Sequence, residues 1–206
     1  MTTPHYWKDA TRELAARDAV LKKLVAKFKG LTLGSRGDAF CTLARAIVGQ
    51  QISVKAAQSV WNRLTAEVQT VTAAAVHGAD SQRLRGCGLS GRKVGYLQDL
   101  AAGFHSGALD AGMWQQLDDE GLIAELTQVK GIGRWTAEMF LIFYMTRPDV
   151  LPLDDIGLQR AMSLHYNRGR PLSRPRMRRI GDTWAPWRSV ATWYLWRSLD
   201  PIAVVY

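Results

Sequence analysis

Two neighbouring carboxylates, Asp154 and Asp155, stand just ahead of an apolar helical run. An acid at a helix start commonly accepts backbone N–H groups as a cap. A carboxylate withdrawn from water can also stabilise positive charge developing on a reacting carbon, and orient or deprotonate a water molecule. Residue type and position alone favour the cap. A second group with chemical potential lies upstream, in Leu126-Thr-Gln-Val-Lys-Gly-Ile-Gly-Arg-Trp-Thr-Ala137. There a helix is expected to end, Gly131 and Gly133 to turn the chain with positive φ open to both, and a new helix to begin near Arg134. N–H groups freed at a helix start, with the dipole behind them, hold an anion. Lys130 and Arg134 add positive charge beside that place, while Val129 and Ile132 anchor the hairpin from below. A lone Gly-x-Gly is more often an ordinary capped connection. The acidic pair a short distance on is what turns this one toward phosphate.

Three further features carry less weight alone. Eight tryptophans in 206 residues are mostly packing, Trp135 and Trp196 included. The polar loop Gly49-Gln-Gln-Ile-Ser53 links two helices, with Ser53 placed to cap the second. Arg168, Arg170, Arg174, Arg176, Arg178 and Arg179 form a basic run, as readily a solvated face as a phosphate contact.

The elements that must position these residues are helical throughout. Leu14, Leu21, Leu24, Val25 and Phe28 share one face of a first helix, which Gly30 ends. Asp38 caps a segment with Phe40, Leu43, Ala44, Ile47 and Val48 at helical spacing, and Ser53 the next, with Ala56, Ala57, Val60, Trp61 and Leu64 inward. Val94, Leu97, Leu100, Ala101 and Phe104 make another stripe, closed by Gly107. Later helices are predicted over 119–128, 134–146, 156–166, 175–184 and 188–198, that over 134–146 being apolar nearly all round and therefore buried. No period-two alternation and no repeat occur. Breaks at Gly30–Gly37 and at the two prolines of Thr146-Arg-Pro-Asp-Val-Leu-Pro-Leu-Asp154 suggest two helical lobes flanking a cleft. One lobe is discontinuous, residues 1–35 plus 152–206; the other, residues 36–151, carries the hairpin.

Charge points toward a class of partner, by a bias that ribosomal and membrane-surface proteins share. Lys and Arg number 27 against 18 Asp and Glu, a net charge of +9 that draws the chain to polyanions, nucleic acid first. Two cysteines, Cys41 and Cys87, cannot supply the four thiolates of an iron–sulfur cluster; of a single disulfide and two reduced thiols, the latter are expected. The charged N-terminus has no apolar signal core, and no uncharged apolar run reaches the roughly 18 residues of a membrane span.

Val-Lys-Gly-Ile-Gly-Arg-Trp-Thr-Ala137, followed by Leu151-Pro-Leu-Asp-Asp-Ile-Gly157, resembles the helix-hairpin-helix DNA glycosylase superfamily, nearest its bacterial 3-methyladenine DNA glycosylase II group. Ala46-Ile-Val-Gly-Gln-Gln-Ile-Ser53, the stretch Leu89-Ser-Gly-Arg-Lys-Val94 through Leu100, and Pro186-Trp-Arg-Ser…Trp-Tyr-Leu-Trp196 also match, so the resemblance runs from residue 38 to 198. It implies an all-α enzyme that flips an alkylated purine, such as 3-methyladenine or 7-methylguanine, out of double-stranded DNA and hydrolyses its glycosidic bond. Asp155 matches the catalytic aspartate, with Asp154 the second candidate. Trp135 and Trp196 match the aromatic lining of the base pocket, where electron-rich faces favour cationic bases; Met139 stands where relatives carry an aromatic. Gln51 matches the side chain that fills the gap left by the flipped base. Bifunctional members carry a Schiff-base lysine where this chain has Trp135, so hydrolysis without strand cleavage is expected. The resemblance further implies a monovalent cation at the carbonyls of Val129 and Gly131; no redox cofactor is expected, and with no signal core or span the chain is expected to be a cytoplasmic, nucleoid-associated monomer. The competing possibilities are a non-catalytic hairpin module bound to damaged DNA and a bifunctional glycosylase/lyase.

Overall fold

The computed structural model describes residues 3–35 and 38–199; among them the chain forms helices and no strand. In order these are α1 (Trp7–Arg17), α2 (Ala19–Lys27), α3 (Ala39–Gly49), α4 (Val54–Val68), α5 (Ala73–His77), α6 (Ser81–Gly86), α7 (Gly91–Ser106), α8 (Ala111–Trp114), α9 (Asp119–Leu126), α10 (Arg134–Phe143), α11 (Ile156–Tyr166), α12 (Arg174–Asp182) and α13 (Arg188–Leu199). The ends of the expected lobes at residues 1–2, 36–37 and 200–206 lie outside the described residues. By their contacts the described residues fall into two compact units, 3–35 with 141–199, and 38–140.

In the first unit α13 packs on α1, α2 and α11. Its core is rich in rings: Trp7 meets Trp193 edge-on at 5.1 Å, and Trp193 meets Tyr194 at 4.9 Å. The single first helix expected from the apolar stripe is instead two. Asp18 is extended (φ −132°, ψ 118°), and its carboxylate accepts from the N–H groups of Val20 and Leu21. A short acid that bonds the backbone two and three residues ahead starts a helix more favourably than it continues one. Its other oxygen, Oδ2, accepts from Tyr166 Oη at 2.8 Å and from Trp184 Nε1 at 3.3 Å, tying three elements to one carboxylate.

In the second unit α7 packs on α3 and α5. Leu43, Ile47, Leu64, Leu84, Leu97, Leu100, Trp114 and Leu122, drawn from several of this unit's helices, are fully buried. Asp38 and Ser53 cap α3 and α4 through Cys41 and Ala56, and Gly107 closes α7 in the left-handed region, as the sequence indicates. Ala56, expected inward, is exposed. The helices α5, α6 and α8 were not expected; each is too short for periodicity to register, and caps at Thr72, Asp80 and Asp110 start them. Helix α10 stops at Phe143 rather than 146, where the Arg147 N–H reaches back to the Leu141 carbonyl ahead of Pro148. Cys41 and Cys87 are free thiols. None of the described helices is long and apolar enough to cross a membrane.

Candidate functional site

Asp155 is the N-cap of α11 and is 6% exposed. Its Oδ1 accepts from the Leu158 N–H at 2.6 Å and from the Trp196 indole Nε1 at 2.7 Å. The turn before it is closed by the Asp155 N–H on the Pro152 carbonyl, and Gln159 Nε2 holds the Leu153 carbonyl at 2.9 Å. The carboxylate is therefore aimed by backbone and indole together, at the dipole-positive end of a helix. Glycine at 157 makes this possible: an added Cβ would sit 3.0 Å from Asp155 Oδ1 and 3.1 Å from the Trp196 ring. The indole itself stacks on Phe143, centroids 5.6 Å apart and planes 13° off parallel. Asp154, one residue earlier, is exposed, and Arg174 pairs with both of its oxygens. One member of the acidic pair is buried and oriented; the other is a solvated ion pair.

The hairpin lies in the second unit, between α9 and α10. Gly131 turns the chain at φ +85°, and an added Cβ there would overlap the Tyr96 ring. Gly133 has no such constraint: its φ is ordinary and its Cβ position is open space. Only one of the two glycines is thus required by the turn; the other leaves the start of α10 uncovered. Ile132 is buried and its N–H bonds the Val129 carbonyl at 3.0 Å. Lys130 is 78% exposed, with a loose 3.6 Å contact to Asp99. Arg134 is engaged otherwise: Nη1 and Nη2 bind Glu120 at 2.9 and 2.5 Å, and Nε binds Glu138 at 3.1 Å. The Arg134 hydrogen bonds hold Glu120 below the usual carboxylate range and keep the guanidinium charged.

The Gln-Gln loop meets the hairpin directly. Gln50 Nε2 donates to the Gly131 carbonyl at 2.8 Å, and Lys93 Nζ donates to the carbonyls of Val48 and Gln50, both at 2.8 Å. Gln51 is exposed and holds φ +59°. Together with Ser90, Arg92, Tyr96 and residues 127–133, these side chains line a groove of about 790 Å³. Gln50, Lys93 and Tyr96 were not singled out by sequence. The doubled glutamine was the available signal for Gln50; nothing local marks Tyr96 as the ring over Gly131.

Of the expected base-pocket residues, Trp196 stands on the carboxylate in the first unit, while Trp135 and Met139 lie on α10 in the second. Trp135 is half-buried and Met139 is 2% exposed.

Residues 44–186 match the family described as HhH-GPD superfamily base excision DNA repair protein. The chain is 33% identical over 182 residues to DNA-3-methyladenine glycosylase 1 of Schizosaccharomyces pombe, spanning 86% of this chain and 80% of that protein. Its likeness to DNA-3-methyladenine glycosylase 2 of Escherichia coli is 30% over 194 residues, 87% of this chain and 64% of the other. A solved structure of the Schizosaccharomyces pombe 3-methyladenine DNA glycosylase in complex with abasic DNA superposes with a TM-score of 0.84 at 31% identity, covering 96% of this chain and 99% of that one. The 3-methyladenine DNA-glycosylase from Archaeoglobus fulgidus gives 0.77 at 25% identity, covering 100% and 79%.

Proposed function

Because the chain belongs to the HhH-GPD superfamily of base excision DNA repair proteins, we propose that it is a DNA glycosylase that flips an alkylated purine from duplex DNA and hydrolyses its glycosidic bond, with Asp155 as the catalytic carboxylate. The observation that carries this is the buried Asp155 Oδ1, fixed by Trp196 Nε1 and the Leu158 N–H.

The chemistry follows from that placement. A base methylated at N3 or N7 is cationic and leaves the sugar carbon with the bonding electron pair, becoming neutral. Positive charge passes to the sugar, where a buried carboxylate lowers the energy of the transition state more than that of the ground state. Water then adds to the same carbon and gives up a proton, leaving an abasic strand. Trp196, already against the carboxylate, is placed to present its ring to a cationic base. No amine stands at position 135, where a Schiff base would need one, so the strand stays intact after base release.

Binding is divided among other residues. The open N–H groups around Gly133 and the exposed Lys130 meet phosphate, and Gln51 fills the vacated stack. Arg134, tied to Glu120 and Glu138, shapes the hairpin instead of supplying an uncompensated charge. A monovalent cation would draw on the carbonyls of Val129 and Gly131. Each already accepts one hydrogen bond, from Ile132 and Gln50, so only the second lone pair of each would remain, and no step above uses it. The same proposal makes the protein a monomer working at the nucleoid in the cytoplasm.

Single-turnover release of free base from methylated duplex tests the assignment. Wild type and Asp154→Asn release base at comparable rates, whereas Asp155→Asn does not. No release by wild type would mark the chain as a damage-binding module, and a covalent adduct trapped with borohydride as a lyase.

A further inference from the structure

The turn Gln50–Ile52 between α3 and α4 holds a side-chain-bearing residue, Gln51, at φ +59°. Residues other than glycine keep such a conformation only where the surroundings over-determine it. Here the surroundings are specific. Lys93, in the first turn of α7, gives two of its three ammonium donors to the carbonyls of Val48 and Gln50. Val48 O is one of the terminal carbonyls of α3, where a cation also complements the helix dipole. On the other side, Gln50 Nε2 is fixed on the Gly131 carbonyl at the apex of the hairpin.

A lysine in a groove on a DNA-binding face is ordinarily taken as a phosphate contact. Lys93 is half-buried with its donors turned to backbone oxygens, whereas the adjacent Arg92 is exposed. Burial also pushes the Lys93 pKa below its ordinary value, as expected of an ammonium withdrawn from solvent.

We propose that Lys93 is a positioning residue for base extrusion: its ammonium clamps the backbone ahead of Gln51, and Gln50 locks that turn to the hairpin, so the gap-filling side chain is held in register with the phosphate the hairpin grips. The inference rests on Gln51 being the gap-filling residue. A point charge shared by two carbonyls is not reproduced by a planar guanidinium, so arginine is a poor replacement.

The test is a double-mutant cycle with Gln51→Ala and Lys93→Met, on two duplexes carrying the same methylated purine. In one the base is paired; in the other it faces an abasic gap, where extrusion costs little. Each single variant slows single-turnover release about tenfold on the paired duplex and less than about twofold opposite the gap, and the double variant is no slower than the worse single. A 2-aminopurine placed beside the lesion reports reduced unstacking in all three. Gln50→Leu, which leaves the Lys93 clamp whole, shows the same contrast between the two duplexes, and Lys93→Arg stays near Lys93→Met. The salt dependence of binding to undamaged DNA is unchanged in Lys93→Met. A salt slope reduced by about one phosphate overturns the inference in favour of a backbone contact. Additive losses, or equal losses on both duplexes that track a lower melting temperature, also overturn it. A Gln51→Ala variant that extrudes and releases base normally overturns the gap-filling role, and the inference with it.

Discussion

Asp155 serves as a helix cap and as the one buried carboxylate of the acidic pair, and these roles separate by substitution. Asparagine caps a helix about as well as aspartate, so Asp155→Asn keeps α11 and the Trp196 contact while removing the charge. Base release in that variant falls about a hundredfold or more, with lesion binding within about tenfold, because the lost interaction belongs to the transition state. Single-turnover rates beside equilibrium binding measure both. Trp196 offers a second separation. Its Nε1 hydrogen bond orients Asp155 whatever the base, whereas the role proposed for its ring is toward cationic bases in particular. Trp196→Phe retains a ring against Phe143 and loses the donor. Because a hydrogen bond to a charged group contributes about 1.5–3 kcal/mol, release falls about ten- to a hundredfold on 7-methylguanine and on neutral hypoxanthine alike. A loss confined to the cationic base would show that the ring is the part that matters and the orienting bond is dispensable.

At the scale of an element, the hairpin distinguishes a glycine needed by the fold from a glycine proposed to serve the ligand. Gly131 is held at φ +85° under the Tyr96 ring. Gly131→Ala therefore destabilises the protein by on the order of 1–3 kcal/mol, read as a lower urea midpoint. Gly133→Ala meets nothing in the protein and keeps that midpoint. Its methyl projects into the open space beside the hairpin where phosphate is proposed to sit, so affinity falls for damaged and undamaged DNA alike, and the slope of affinity against salt flattens. Unchanged affinity in a folded Gly133→Ala would move the phosphate site elsewhere on the hairpin. The Gly-x-Gly spacing made both residues visible. The difference between them was not, because it depends on a ring contributed by α7, more than thirty positions away in the chain.

Over the whole molecule, the first unit gathers its polar groups around aromatic rings. Tyr6 Oη donates to the Thr146 carbonyl at 2.5 Å, and burial pushes its pKa from 10.0 up to about 12. Burial and the adjacent Asp18 raise Tyr166 as well. A phenol whose folded pKa exceeds its unfolded value holds its proton longer in the native state. Its stabilising contribution is complete below pH 10 and disappears as pH rises toward 12. Stability therefore drops through that window, and Tyr6→Phe shallows the drop in urea titrations run at successive pH values. An identical profile in Tyr6→Phe would assign the alkaline loss to other groups.

Local chemistry alone determined the longer helices, their caps at Asp38 and Ser53, the hairpin and the acidic pair, because a 3.6-residue period, a capping acid and a glycine turn are each written within a few positions. The resemblance singled out Gln51 in the Gln-Gln loop, but nothing in the sequence marked Gln50 beside it as the residue that ties the hairpin. Tertiary structure decided what was left. It split the first apolar stripe in two at Asp18, whose partners Tyr166 and Trp184 lie 148 and 166 residues on. It buried Asp155 beneath an indole 41 residues away, while Arg174 claimed Asp154 in solvent. It turned the Lys93 ammonium onto the backbone of another helix and engaged Arg134 with two carboxylates. The physical reason is common to all of these: an ionisable side chain is assigned by the partners that remain within about 3 Å once apolar packing has set the helices, and those partners are distant in sequence.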